Sequence, residues 1–113
     1  MLLIYESEAE FASLSDADRK ASIQRHIAFA NELRAESRFL GGDALQPSSA
    51  ATCIATRDGK PVVIDGPYAE TKEQLGGFYL IEARDLDQAL EDAHRIAGRE
   101  GEIIEVRPIL DLS

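Results

Sequence analysis

The sequence predicts an α+β fold with the element order β-α-β-β-α-β: an antiparallel sheet, both helices on one face, and an extra hairpin inserted midway. Three observations predict it. A short apolar stretch, Leu2 to Glu6, opens the chain as a strand. Two segments free of Gly and Pro, from Asp16 to about Arg38 and from Leu86 to Ala97, repeat their apolar residues at helical spacing. Short β-rich runs bounded by turn residues fill the remainder. That order is the split-βαβ, or ferredoxin-like, arrangement.

Each element has its own local cause. Residues 7–14 read as a loop or a short helical turn. Ser15 then offers an N-cap, with Asp18 three residues on in a variant of the capping box. In the helix that follows, Ile23, Ile27, Ala30 and Leu33 project onto one face, and Gln24, Arg25, Glu32 and Glu36 project away from it. Gly41-Gly42 is expected to end the element. Residues 43–46 and 51–57 read as strand. Asp58-Gly59 supplies the positive φ angles of a type I′ turn, and Pro61 to Ile64 is the returning strand. Asp65-Gly66-Pro67 breaks it. Thr71 with Gln74 predicts one capped turn of helix closed by Gly76-Gly77. Phe78 to Ala83 is a strand. Asp85 caps the second helix, which carries Leu86, Ala89, Leu90, Ala93 and Ala97 on one face and stops at Gly98. Ile103 to Ile109 is the last strand.

Composition limits the function. The 113 residues, 44% hydrophobic and 29% charged, make one domain of ordinary globular character spanning 1–113. A net charge of -9 repels a phosphate backbone, and no basic patch offsets it, so nucleic-acid binding is not expected. A single cysteine forms no internal disulfide and fits a reducing compartment. No apolar run nears the ~20 residues of a membrane helix. The first residues carry acid where a signal peptide carries base. The expectation is a cytoplasmic protein without a membrane partner.

The strands bear on assembly. Two helices cover one face of a sheet, yet both alternating sets of Phe78 to Ala83 are apolar. Leu2, Leu3 and Ile4 repeat this, as do Ile103, Ile104 and Val106. A sheet with one wet face alternates more cleanly. The second face is therefore expected to pack on the sheet of a second copy, in a homodimer, or else to line a ligand cleft.

Two residues carry candidate chemistry. His26 falls near the middle of the apolar helical stripe, as a packed core residue or as a group kept for proton transfer near neutral pH. Asp65 ends an apolar strand before Gly66-Pro67, as ordinary turn chemistry or as a carboxylate aimed into a cleft. As a pair, Asp65 would orient the ring and His26 would move the proton. Tyr68, Glu70 and Lys72 follow Asp65 and are candidates to bind substrate at a pocket mouth, although a capped turn explains Glu70 and Lys72 equally well. Tyr5 and Tyr79 are strand tyrosines that serve packing or present hydroxyls to a cleft. His94 reads as surface and Cys53 as a small buried apolar residue. One Cys and two dispersed His have no metal-ligand spacing, and the paired glycines lack the spacing of a nucleotide loop, so neither metal nor cofactor is expected.

The run from Asp65 to Glu82, DGPYAETKEQLGGFYLIE, resembles the DGPF motif of the YCII-related (YciI-like) family, whose members typically run DGPF-AETKEQLGGF. The likeness extends over essentially the whole chain, through the His-bearing helix, the Asp-Gly hairpin, the helix start Asp85-Leu86-Asp87-Gln88-Ala89 and Glu105-Val106-Arg107-Pro108. Tyr68 departs from the Phe of the motif; the ring is kept and a hydroxyl is added. The resemblance implies a ferredoxin-like fold that dimerises through sheet faces, the dimeric α+β barrel. It places the family's proposed catalytic pair on His26 and Asp65. The family is similar to muconolactone isomerase-type enzymes acting on small organic molecules, but its DGPF-type members generally have no assigned reaction, and many are encoded beside extracytoplasmic-function sigma factors. Two functions are therefore expected as alternatives: a cofactor-independent enzyme using His26 and Asp65 on a small molecule, or a ligand-binding or regulatory module linked to a sigma factor. Fold similarity decides between them in neither direction.

Overall fold

The computed structural model describes residues 1–113. Its elements are β1 (Leu2–Glu6), α1 (Glu8–Ser13), α2 (Asp16–Ala35), β2 (Phe39–Ala44), a 3-10 turn (Ser48–Ala50), β3 (Thr52–Arg57), β4 (Lys60–Asp65), β5 (Gln74–Ile81), α3 (Leu86–Ile96) and β6 (Ile103–Val106). Four strands form one antiparallel sheet in the order β2-β5-β1-β6, and β3 and β4 form a separate hairpin. With the hairpin set aside, the mixed α+β architecture and this strand order are compatible with a ferredoxin-like fold.

The sheet packs its core through alternate positions of β1. Leu2 and Ile4 are buried with Phe29 and Leu33 of α2 and Ala93 and Ile96 of α3; Tyr79, Phe39, Ile81, Ile104 and Val106 pack around them. Phe29 and Leu33 each contribute about 1.5–3 kcal/mol by leaving water. Leu2 faces both Tyr79 of β5 and Val106 of β6, so the two strands are held in register against one another through β1.

The caps follow the local sequence. Ser7 starts α1, accepting from the Glu10 amide at 3.2 Å. Ser15 starts α2, accepting from the Asp18 amide at 3.1 Å. Asp85 starts α3, accepting from the Gln88 amide at 2.8 Å. The β3–β4 turn has Asp58 at φ 51° and Gly59 at φ 75°, as a type I′ turn requires.

Several expected elements differ. α2 ends at Ala35, and Ser37, at φ 57°, turns the chain into β2. Gly41-Gly42 lies inside β2 and stops no helix. Its spacing answers a strand contact: a Cβ on Gly42 would sit 2.8 Å from the Phe78 carbonyl oxygen. The capped turn expected at Thr71–Gln74 is absent, because β5 begins at Gln74 and runs through Gly76-Gly77. The Gln74 side chain spans outward instead, accepting from the Glu8 amide at 2.9 Å. The last strand stops at Val106, short of Ile109.

The helical stripe is also displaced. Ser22, Phe29 and Leu33 are the buried residues of α2, whereas Ile23 and Ile27 are 52% and 55% exposed. Buried Phe29, which lies outside the projected stripe, fills the space under the helix. The turn of the helix then carries Ile23 and Ile27 toward an open cavity rather than the core. α3 shows the same pattern: Ala89, Asp92, Ala93 and Ile96 are buried, and Leu86 and Leu90 face outward.

The β3–β4 hairpin stands away from the sheet. Its cross-strand pair Ile54 and Val63 is 73% and 66% exposed. The radius of gyration of 16.1 Å exceeds the roughly 13 Å expected for a compact chain of this length, as a projecting arm requires.

Candidate functional site

The cavity lies between α2 and the sheet edge made by β2 and β5. It encloses about 520 Å³, and hydrophobic side chains make up 10 of its 19 lining residues. Ile23, His26, Ile27 and Ala30 come from one side of α2, which accounts for the apolar stripe that the core does not use. Phe39, Phe78 and Tyr79 come from the strands. Gly42, Gly76 and Gly77 bare the backbone on that wall.

His26 is the centre of the polar part. Its side chain is 21% exposed. Nδ1 lies 2.9 Å from the Tyr79 hydroxyl on β5, and Nε2 lies 3.4 Å from Oε2 of Glu102, just before β6. The Tyr79 hydroxyl also lies 3.4 Å from the His26 backbone carbonyl. Phe29 and Phe39 meet the Tyr79 ring edge-on and fix its orientation. Burial, and then the negative charge of Glu102, push the Tyr79 phenol up to about 12, so it is a neutral donor at ordinary pH.

Charged groups line the floor. The Glu102 side chain is only 1% exposed, and Arg25 approaches it at 4.0 Å. That gap leaves Oε1 of Glu102 and Nη2 of Arg25 buried without hydrogen-bond partners. Glu6 lines the cavity beside them and forms an ion pair with Arg99. Burial raises the Glu6 carboxyl above its usual range; Arg99 opposes this and Glu102 adds to it. No three His, Cys, Asp or Glu side chains come together as metal ligands would.

The sequence-predicted residues are placed differently from one another. His26 lines the cavity. Asp65 is exposed at the end of β4, opposite Thr52, and lies neither among the hydrogen-bond partners of His26 nor on the cavity wall. Tyr68 is 87% exposed, and Lys72 is exposed; neither lines the cavity. Glu70 borders a separate depression with Ser48, Pro67 and Gln74. His94 is exposed. Cys53 is half-buried, its thiol 3.3 Å from the Gly66 carbonyl.

Two members of the cluster had little or no sequence signal. Tyr79 reads equally as packing, since its hydroxyl partner is on another element. Glu102 is one acid among many in an acidic chain. Only the pairing of β6 with β1, Ile104 opposite Ile4, brings the residue just before β6 to where Glu102 reaches His26.

An uncharacterised protein of Rhizobium meliloti (strain 1021) is 35% identical over 111 residues, covering 96% of this chain and 89% of its own length. The family described as the YCII-related domain matches residues 1–113. No helix of the chain is long and apolar enough to cross a membrane. A match over its full length, carried by a chain that sets a histidine against its sheet, makes this protein a member of the YCII-related domain family.

Proposed function

We propose that the cavity binds a small organic molecule and that His26 is its acid–base group. One observation carries this reading: His26 stands in the wall of a largely apolar cavity of about 520 Å³ with hydrogen-bond partners on both ring nitrogens. Pockets of this size and character suit small ligands, and an imidazole held on both sides is oriented for proton transfer. The Asp65-Gly66-Pro67-Tyr68 motif supports a place in the DGPF subgroup.

The protein is proposed to act as a homodimer through the sheet face turned away from the helices. Leu40 and Ile103 are 57% and 51% exposed. Within one chain Asp65 does not meet His26. The proposed pairing of Asp65 with the His26 cluster therefore needs the dimer, in which the projecting arm of one copy carries Asp65 toward the cavity of the other to act through the Tyr79 hydroxyl, both ring nitrogens being engaged within the chain. Light scattering at micromolar concentration should give twice the chain mass, and a persistent monomer would rule this pair out.

The test of the cavity itself is a ligand-observed NMR screen of small metabolites against wild type and His26→Ala. Bound compounds should shift the amides of Ile23, Ile27 and Phe78 and should bind the variant at least tenfold more weakly. Compounds that bind elsewhere, or equally well without the imidazole, would overturn the reading.

A further inference from the structure

We infer that Glu102, His26 and Tyr79 form a proton relay whose exchanging end is the Tyr79 hydroxyl, serving a small apolar ligand with an acidic O–H group, an enol or a phenol. This rests on the small-molecule reading of the cavity and assigns its chemistry.

The relay follows from hydrogen-bond accounting. A Glu102 carboxylate has no proton to give, so the hydrogen of a neutral His26 ring belongs on Nε2, 3.4 Å from Oε2. Nδ1 is then an acceptor, and Tyr79, at 2.9 Å, donates to it. Both nitrogens are engaged, so a proton reaches the ring only through the hydroxyl. The hydroxyl has a second acceptor, the His26 carbonyl at 3.4 Å. When Nδ1 gains a proton it donates to the Tyr79 oxygen, and the hydroxyl hydrogen is free to turn elsewhere. Both ring nitrogens and the Tyr79 oxygen stay hydrogen-bonded in both states. Nearly full burial of Glu102 keeps its charge effective against the imidazolium.

The step balances without a co-reactant. The ligand O–H bond breaks and its proton passes to the Tyr79 oxygen. The proton that Tyr79 held forms the new Nδ1–H bond of His26. The ligand becomes an enolate or phenolate facing a Tyr79 O–H, and the imidazolium keeps Nε2–H on Glu102. Tyr79 is unchanged, and reversal returns the proton.

The walls carry both signs of charge. Glu6 and Glu102 line the cavity, with Glu6 paired to Arg99, and Arg34 stands in the same wall as Tyr79. A ligand that enters neutral avoids the two carboxylates, and Arg34 offers a cation to the anion formed when its O–H gives up the proton. The rings of Phe11 and Phe39 and the side chains of Ile23 and Ile27 offer the apolar surface an enol or phenol body would cover.

Glu102 acts through His26 and is a positioning residue, so the test reads the ring directly. The ¹⁵N shifts of the ring at neutral pH should show the Nε2–H tautomer in wild type. Glu102→Gln should move His26 toward the Nδ1–H form, and Tyr79→Phe should shift the Nδ1 resonance alone. His94, exposed and remote, serves as the internal reference in each spectrum. Wild-type protein carrying the Nδ1–H tautomer overturns the relay even if neither variant folds. The ligand half uses 4-nitrophenol with 4-nitroanisole as its O-methyl control, both added to the unliganded protein below the pH at which the free phenol ionises. Bound nitrophenol should show the phenolate band with wild type and lose it with Tyr79→Phe. Nitrophenol that binds wild type and stays protonated overturns the assignment. If neither compound shifts the cavity amides, the ligand assignment fails with the cavity reading, whereas the tautomer result is independent of any ligand and distinguishes that failure from a failure of the relay.

Discussion

The hydroxyl of Tyr79 lies 2.9 Å from Nδ1 of His26, and the two rings run within 8° of parallel. This contact ties the middle of α2 to the central part of β5 across the cavity. It places a phenol and an imidazole, which arise 53 residues apart, in one hydrogen-bonded unit.

The Tyr79 phenol should ionise last. Burial and the Glu102 charge raise it from its ordinary value of 10 to about 12. An acid raised in the fold stabilises below its unfolded value and loses that contribution as pH climbs through its folded value. Stability should therefore drop between about pH 10 and about pH 12. Phenolate absorbance should show a step near pH 12 that Tyr79→Phe removes. At neutral pH the same substitution should cost about 1 kcal/mol, the net worth of a hydrogen bond. An unchanged absorbance titration in Tyr79→Phe would contradict the buried placement.

Glu6 obeys the same sign at the acid end. Its carboxyl is raised above 4.5, first by burial, so its contribution is complete below that value and fades as pH rises through the folded value. Glu6→Gln, which cannot ionise, should gain stability relative to wild type as pH rises from about 4 to about 7, where an unperturbed carboxyl would have finished titrating. Thermal melts of the two proteins across that range check the slope. A relative loss over the same interval would show that the Arg99 ion pair outweighs burial.

Asp92 is 1% exposed and holds Arg38 through both carboxylate oxygens, with Arg95 at 3.2 Å. The guanidinium of Arg38 also donates to the Glu82 carbonyl at 2.9 Å, which pins the exit of β5 to the entry of β2. Removing one member of a buried pair strands the other, so Asp92→Ala should cost about 3 kcal/mol in urea unfolding. A cost below about 1 kcal/mol would match an exposed ion pair instead.

Alanine should be costly at Gly77 and nearly neutral at Gly41. A Cβ at Gly77 would lie 2.9 Å from the Asp43 carbonyl oxygen, a strand backbone that cannot move aside cheaply, whereas one at Gly41 would meet nothing within 4 Å. Gly77→Ala should lose about 1–3 kcal/mol by overpacking. Gly41→Ala should stay within about 0.5 kcal/mol of wild type. Equal melting temperatures for the two variants would contradict the close approach of β2 and β5.

Local sequence determined the capped starts of α2 and α3, the Asp58-Gly59 turn, and the strands at both ends, because caps, turns and periodicity depend on residues within a few positions of one another. It also placed His26 on a helix facing the sheet. What it could not decide was the meaning of Gly41-Gly42 and Gly76-Gly77, which read as stops when taken alone. Strand pairing set them inside β2 and β5, where Gly42 and Gly77 are the positions at which the neighbouring backbone leaves no room for a Cβ. Nor could it decide which carboxylate His26 would find. Asp65 had the suggestive turn, but the hairpin carries it away from the cavity within one chain. Glu102, unmarked in sequence, arrives because β6 pairs with β1. Short-range stereochemistry fixes elements, whereas a side-chain pair 76 residues apart exists only after the sheet has closed.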